Sequence, residues 1–278
     1  MPPIASRANP RVKQLRAAFA GHARLSGGLV AIEGEHLLFE AMRSGLAFKT
    51  IFVSDRRSAP RWTPRSVELI ELTDQVFASV VDTQSTQGIA ALLVPPTWEI
   101  EDVWPGNSPA TSVPLILIAA ALQDPGNLGT LIRSAEAFAA TAVLTTPGTV
   151  SEWNHKALRA SAGSVFRVPV RETTPAEIAA LKHRGLHLYA AVADDPLSPP
   201  TLPLAEADLT QPCALMIGNE GVGLSAELLT LAGARIAIPT PGRVESLNAA
   251  IAGSLLLYEA SRQREALLPT PYSLLPAL

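Results

Sequence analysis

The chain has 278 residues, 47% of them hydrophobic and 17% charged, with a net charge of −3. That composition supplies enough apolar surface for one or two packed domains and excludes a disordered chain. Cys213 is the only cysteine, which excludes an intrachain disulfide and a cysteine-rich zinc site. The uncharged apolar run Pro114–Leu122 falls far short of the ~20 residues of a membrane span, and the opening MPPIASRANP carries no apolar signal core. A cytoplasmic, soluble protein is therefore expected.

The small net charge conceals an asymmetry. Residues 1–66 hold 11 Lys and Arg against 4 Asp and Glu, whereas the remainder holds 11 against 21. A basic front end on an acidic remainder points to a polyanion docking at the front.

In chain order, Asn9–Ala20 reads as a helix with Pro10 in its first turn. Val12, Leu15 and Phe19 share one face, and Arg11, Lys13 and Arg16 lie largely away from it. Leu29–Ile32 is a strand leading into Glu33-Gly34-Glu35, and His36–Ser44 a helix ending at Gly45. Strands over Lys49–Val53 and Val67–Leu72, a helix over Thr73–Val80 and a closing strand over Gly88–Val94 complete a small αβα-type domain. Pro95–Pro114, with five prolines, reads as a linker.

Beyond it the pattern becomes strand–helix alternation, the mark of a parallel α/β sheet. Strands are expected over Leu115–Ala119, Ala142–Thr145, Val165–Pro169, Leu186–Ala191, Cys213–Ile217 and Arg235–Ile238. Helices are expected over Leu128–Ala139, Ser151–Ala162, Pro175–Arg184, Ser225–Leu231 and Leu247–Arg264. Leu115–Ala119 shows little alternation, as expected of a strand buried on both faces.

Ligands of open α/β sheets collect beyond the carboxyl ends of the strands, and three loops placed there carry unusual chemistry. The first is Gln123-Asp124-Pro125-Gly126-Asn127-Leu128-Gly129, followed by Arg133. Asn127 can cap the helix and offers donors and acceptors. Arg133 suits a phosphate or carboxylate; a salt bridge with Glu136 or Glu220 is the structural alternative. The second is Ile217-Gly218-Asn219-Glu220-Gly221-Val222-Gly223-Leu224, whose glycines imply close backbone approach to a ligand. Gly221-x-Gly223-x-x-Ala226 also fits a dinucleotide fingerprint. The following strand, however, ends without an acidic residue, and Glu220 would repel a pyrophosphate. The third, Pro239 to Asn248, is stiffened by Pro239, Pro241 and Gly242 and carries Glu245, Ser246 and Asn248 at its tip. Capping of the next helix by Ser246 is its structural reading.

Together these loops resemble the signature motifs of the SpoU/TrmH branch of the SPOUT methyltransferases. The matching stretches are Asn127-Leu-Gly-Thr-Leu-Ile-Arg133, Ile217-Gly-Asn-Glu-Gly-Val-Gly-Leu224 and Ile238-Pro-Thr-Pro-Gly-Arg-Val-Glu-Ser-Leu-Asn248. Thr240 stands where that family often has methionine, and Ala249 where valine is common. At the front end, Asn9-Pro-Arg-Val-Lys13, Ala31-Ile-Glu-Gly-Glu35 and Thr86-Gln-Gly-Ile-Ala90 resemble the L30e-like RNA-binding domain of ribosomal RNA ribose methyltransferases.

The resemblance implies a small L30e-like α/β domain over 1–95, a linker over 96–113, and over 114–278 a parallel-sheet α/β catalytic domain. The C-terminal segment of that domain would be threaded into a trefoil knot, a rarity among folds. It implies a metal-free homodimer that uses S-adenosyl-L-methionine to methylate ribose 2′-hydroxyls of RNA. Ribosomal RNA of the 23S type is favoured; transfer RNA, or a non-catalytic RNA-binding or ribosome-assembly role, are the alternatives. Gly218, Ile238, Ser246, Leu247 and Asn248 would hold the cofactor. Asn127, Arg133, Glu220, Ser246 and Asn248 would line the reaction site, and Arg7, Arg11, Lys13 and Arg16 would meet RNA.

Overall fold

A computed structural model describes residues 2–20, 28–81, 86–104, 113–193, 199–244 and 246–265. The chain divides into two compact units: residues 1–97 with 151–167, and residues 98–150 with 168–278.

The first unit opens with α1 (Pro10–Ala20). Asn9 begins the helix by accepting from the Arg11 amide at 2.9 Å. Val12 and Leu15 are fully buried on its inner face. There follow β1 (Val30–Glu33), α2 (Glu35–Arg43), β2 (Phe48–Ser54), β3 (Glu68–Leu72), α3 (Asp74–Ala78) and β4 (Ile89–Leu93). The strands form one sheet in the order β1-β4-β2-β3; only β2 and β3 run parallel. Its core gathers Val12, Leu15, Phe52, Leu72, Phe77 and Leu92.

Part of the stretch expected to be a linker is folded. Ile100–Val103 makes a single 3-10 turn, started by a reciprocal capping box between Glu99 and Asp102. Val103 is buried in the core of the second unit. Residues 105–112 lie outside the described residues.

The chain continues through β5 (Leu115–Ala119), α4 (Pro125–Ala137), β6 (Ala142–Thr145) and α5 (His155–Ser161). The strand expected over Val165–Pro169 is absent. Ser164–Phe166 is a 3-10 turn and the strand comes later, as β7 (Val170–Glu172). Val165, Phe166 and Val168 are buried, so their apolarity is real. A short apolar run, however, does not distinguish a strand from a buried turn. Ala162 and Gly163, both left-handed, end α5 and set the direction of that turn. Residues 151–167 group with the first unit rather than with the sheet that flanks them in sequence.

Then come α6 (Pro175–His183), β8 (His187–Ala191), β9 (Leu202–Pro203), a 3-10 turn over Leu204–Glu206, β10 (Cys213–Ile217), α7 (Ala226–Leu231), β11 (Ala234–Ala237) and α8 (Ala249–Glu265). All seven strands of this unit pair in parallel, in the order β7-β6-β5-β10-β8-β11-β9. The two-residue edge strand β9 is too short to leave a pattern in sequence. β5 and β10 are buried along their whole length, as expected of central strands covered on both faces.

Two details fix α8. Gly253 sits so close to α4 that a Cβ there would lie 2.3 Å from Leu131 Cδ2, and beside it Ser134 and Ser254 share a hydrogen bond of 2.7 Å. At its far end the Arg264 guanidinium donates to the carbonyls of Leu209, Val113, Pro114 and Gln211, at 2.6–3.0 Å. Among the described residues no helix is long and apolar enough to cross a membrane.

α6 carries a pH-sensitive start. The Glu177 carboxylate accepts from Arg171 at 2.7 Å and from the Thr174 amide at 2.9 Å. The Arg171 hydrogen bond is the main cause that holds its pKa down, at about 2 against an ordinary 4.5. A depressed carboxylate adds stability above its unfolded pKa and loses it as pH falls. Urea-unfolding stability should therefore decline between about pH 4.5 and 2. Glu177→Gln should be less stable at pH 7 and show a shallower decline over that window.

Candidate active site

The cavity of about 390 Å³ in the second unit lies beyond the carboxyl ends of β8, β10 and β11, where such sheets place ligands. Its size suits a small molecule. The wall from β10 is the loop Gly218–Leu224, folded tightly on itself. Asn219 Oδ1 accepts from the amides of Gly221 and Val222 at 2.8 and 3.3 Å, and the Gly223 amide donates to the Asn219 carbonyl at 2.8 Å. Asn219 Nδ2 ties the loop to the Ala121 carbonyl at 3.1 Å. Ala121 itself has a left-handed φ of 52°, an uncommon state for a residue with a Cβ. Gly218 has no room for a side chain: a Cβ would lie 2.2 Å from the Gly223 carbonyl carbon.

The opposite wall comes from Ile238, Thr240, Ser246 and Leu247, with Leu224 and Leu229 adding apolar surface. Among the described residues the charged members of the lining are Glu220 and Arg235.

Three polar side chains join the loops. Asn248 Nδ2 donates to Asn127 Oδ1 at 3.1 Å, and Asn127 Nδ2 donates to Glu220 Oε1. Asn248 also begins α8, its Oδ1 accepting from the Ala250 and Ile251 amides at 2.9 and 3.2 Å. The cap is thus Asn248, two residues beyond Ser246, because α8 starts at Ala249. Asn127 is likewise not the cap of α4. Asp124 Oδ1 accepts from the Asn127 amide at 2.9 Å and fills that position, which frees the Asn127 side chain to bridge the other two loops. Glu220 Oε2 and one N–H of each amide have no partner among the described residues.

Of the candidate residues, Gly218, Glu220, Ile238, Ser246 and Leu247 line the cavity, and Asn127 and Asn248 join them through the hydrogen-bond chain. Arg133 does not line the cavity. It is exposed on α4 and pairs with neither Glu136 nor Glu220. Glu245 lies outside the described residues. Sequence reading missed Asn219 and Arg235 as parts of the site, although both stood in the stretches singled out. In the first unit, Arg7 and Lys13 are exposed and Arg16 is half-buried, while Arg11 is engaged with Glu68 at 2.9 Å. Among the described residues no group of three or more His, Cys, Asp or Glu could hold a metal.

A parallel α/β sheet with three interlocked loops around a small-molecule cavity defines a ligand-binding class rather than a single protein. The comparisons narrow it. Residues 114–258 match the SpoU rRNA Methylase family and residues 9–91 the MRM3-like substrate binding domain. The chain belongs to the SpoU rRNA methylase family. It is 34% identical to the Bacillus subtilis 23S rRNA (guanosine(2553)-2′-O)-methyltransferase RlmP, over 93% of this chain and 98% of that one. Human mitochondrial rRNA methyltransferase 3 is 31% identical, over 85% and 68%. Among solved structures, the AdoMet-bound rRNA methyltransferase of Sinorhizobium meliloti superposes with a TM-score of 0.80 at 27% identity, over 96% and 99%. The SpoU methyltransferase AviRb of Streptomyces viridochromogenes, solved with AdoMet, gives 0.78 at 26%, over 92% and 98%.

Packing at Gly218 is directly testable. Gly218→Ala should cost about 1–3 kcal/mol, the usual range for overpacking. Gly242→Ala, whose Cβ would meet nothing within 4 Å, should leave the urea midpoint unchanged.

Proposed function

We propose that the chain methylates ribose 2′-hydroxyls of ribosomal RNA, of the 23S type, with S-adenosylmethionine as methyl donor, acting as a cytoplasmic homodimer. The observation that carries this reading is the chain Asn248–Asn127–Glu220, which draws the three motif loops together beside the cavity. The wall fits the cofactor: Gly218 lets backbone line the site, and Ile238, Leu247 and Leu224 offer apolar surface to an adenosine. When bound, S-adenosylmethionine supplies a methyl group already activated on sulfonium.

The chain's own residues then position the acceptor and assist loss of its proton. Gly218, Ile238 and Leu247 hold the cofactor largely through backbone, with Ser246 and Asn248 beside them. Glu220 fixes Asn127 and the β10 loop, and its free oxygen faces substrate. Arg133, exposed and without a partner among the described residues, holds a nucleotide phosphate; its guanidinium is too weakly acidic to serve as a base unaided. The first unit serves as an L30e-like RNA-binding domain, with Arg7, Arg11, Lys13 and Arg16 as candidate contacts.

Strand order supports a knotted C-terminal segment. β10 lies between β5 and β8, and the next strand, β11, lies on the far side of β8. Support for the dimer comes from α8, where Ile251, Leu255 and Tyr258 form a stripe that is 40–54% exposed, an apolar surface a second copy would cover.

Two outcomes are expected. Arg133→Ala should lower methyl transfer to ribosomal RNA by about 100-fold, the scale of lost positioning, with cofactor affinity by calorimetry unchanged; near-normal transfer would reject its role. Leu255→Asp should shift the light-scattering mass from dimer to monomer, and a wild-type monomer would remove the dimer from the reading.

A further inference from the structure

The loop between β2 and β3 takes no part in the site described above. It contains Arg56-Arg57-Ser-Ala-Pro-Arg61-Trp62-Thr-Pro-Arg65, four arginines and a tryptophan in ten residues. Arg56 and Arg57 are engaged, with Asp74 at 3.3 Å and with Glu35. Arg61 and Arg65 are exposed and have no partner among the described residues. Trp62 packs on α2 against Phe39, with ring centroids 6.2 Å apart and planes tilted by 59°. One helical turn on, the Arg43 guanidinium lies 5.9 Å from the Phe39 ring centroid, within cation–π range.

The pair does more than anchor a loop. Phe39 stays 38% exposed and the Arg43 side chain 64% exposed, so an aromatic face remains in water within a cationic setting. The nearest carboxylate does not cancel that charge. Glu40 lies 3.4 Å from Arg43, but its other oxygen accepts from Arg167 at 2.8 Å, so two arginines share one anion. A π face beside guanidinium groups complements an unpaired nucleobase between two phosphates. A duplex keeps its bases stacked inside and offers no such face. A protein partner matched to this charge would have to bring several carboxylates, whereas RNA carries an anion at every nucleotide.

We propose that Phe39 and Trp62 form a stacking platform for an unpaired base of the RNA substrate, with Arg43, Arg61 and Arg65 engaging the flanking phosphates. The proposal rests on the RNA reading for its partner. It adds the form of RNA that is held, a single-stranded segment, and uses residues other than the basic candidates of α1.

The test uses the full chain and fluorescence anisotropy with a labelled ten-nucleotide oligouridine and an RNA duplex of equal length. The single strand should bind more tightly. Trp62→Ala should weaken oligouridine binding about tenfold, within the range of one lost base stack, and Trp62→Phe should restore most of it. The double variant Arg61→Glu/Arg65→Glu should weaken binding and flatten its salt dependence. It leaves the ring pair untouched, so a folding defect in Trp62→Ala does not blunt the test. S-adenosylmethionine affinity by calorimetry should stay unchanged in every variant; failure of the wild type to bind the cofactor would instead sink the methyltransferase reading. Wild-type preference for the duplex, or wild-type affinity for oligouridine in both Trp62→Ala and the double variant, would overturn the proposal and leave the patch as a loop anchor or a protein-binding face.

Discussion

The site depends on one primary amide. Asn127 accepts from Asn248 and donates to Glu220, and so links residues 121 and 93 positions away in the chain. A side-chain amide suits this position because it carries a donor and an acceptor on one rigid plane. An aspartate there could accept from Asn248 but would face Glu220 with like charge. The cavity beside this link is shaped by backbone as much as by side chains. The β10 loop returns on itself at Gly218 with no space for a Cβ, and Asn219 holds it to the carbonyl of Ala121.

That link forms because two helices are brought side by side with their N-termini at the same place. α8 approaches α4 closely at Gly253, and the Ser134–Ser254 pair fixes their register. Arg264 clamps the other end of α8 to four carbonyls near the starts of β5 and β10. Helix N-termini carry partial positive charge. Asp124 and Glu220 offset it, and Asn248 takes up the free amides of Ala250 and Ile251 without adding charge.

The first unit shows why charge counts overstate a binding surface. Its sequence is strongly basic, yet Arg11, Arg56 and Arg57 are paired with Glu68, Asp74 and Glu35. Two cations without a partner among the described residues, Arg61 and Arg65, lie in a loop that hydropathy reads as a mere connector. A solvated ion pair contributes little to stability, but its guanidinium has to leave or share the carboxylate before it meets a phosphate.

Much of the architecture was legible in the sequence. Leu115–Ala119, Ala142–Thr145 and Cys213–Ile217 are strands at the expected bounds, because runs buried on both faces leave an unbroken apolar signal. The three polar loops stood out for the same reason: glycine, proline and amide residues are conspicuous between apolar elements. Tertiary structure alone decided their joining. The order in which parallel strands pair, the capping by Asp124 and Asn248 in place of Asn127 and Ser246, and the grouping of residues 151–167 with the first unit all depend on partners distant in sequence. Local periodicity records whether a residue is buried, but not against what, and so Val165–Phe166 could not reveal itself as a turn. Hydrogen bonds between loops have no period at all, and only the folded chain shows which amide meets which carboxylate.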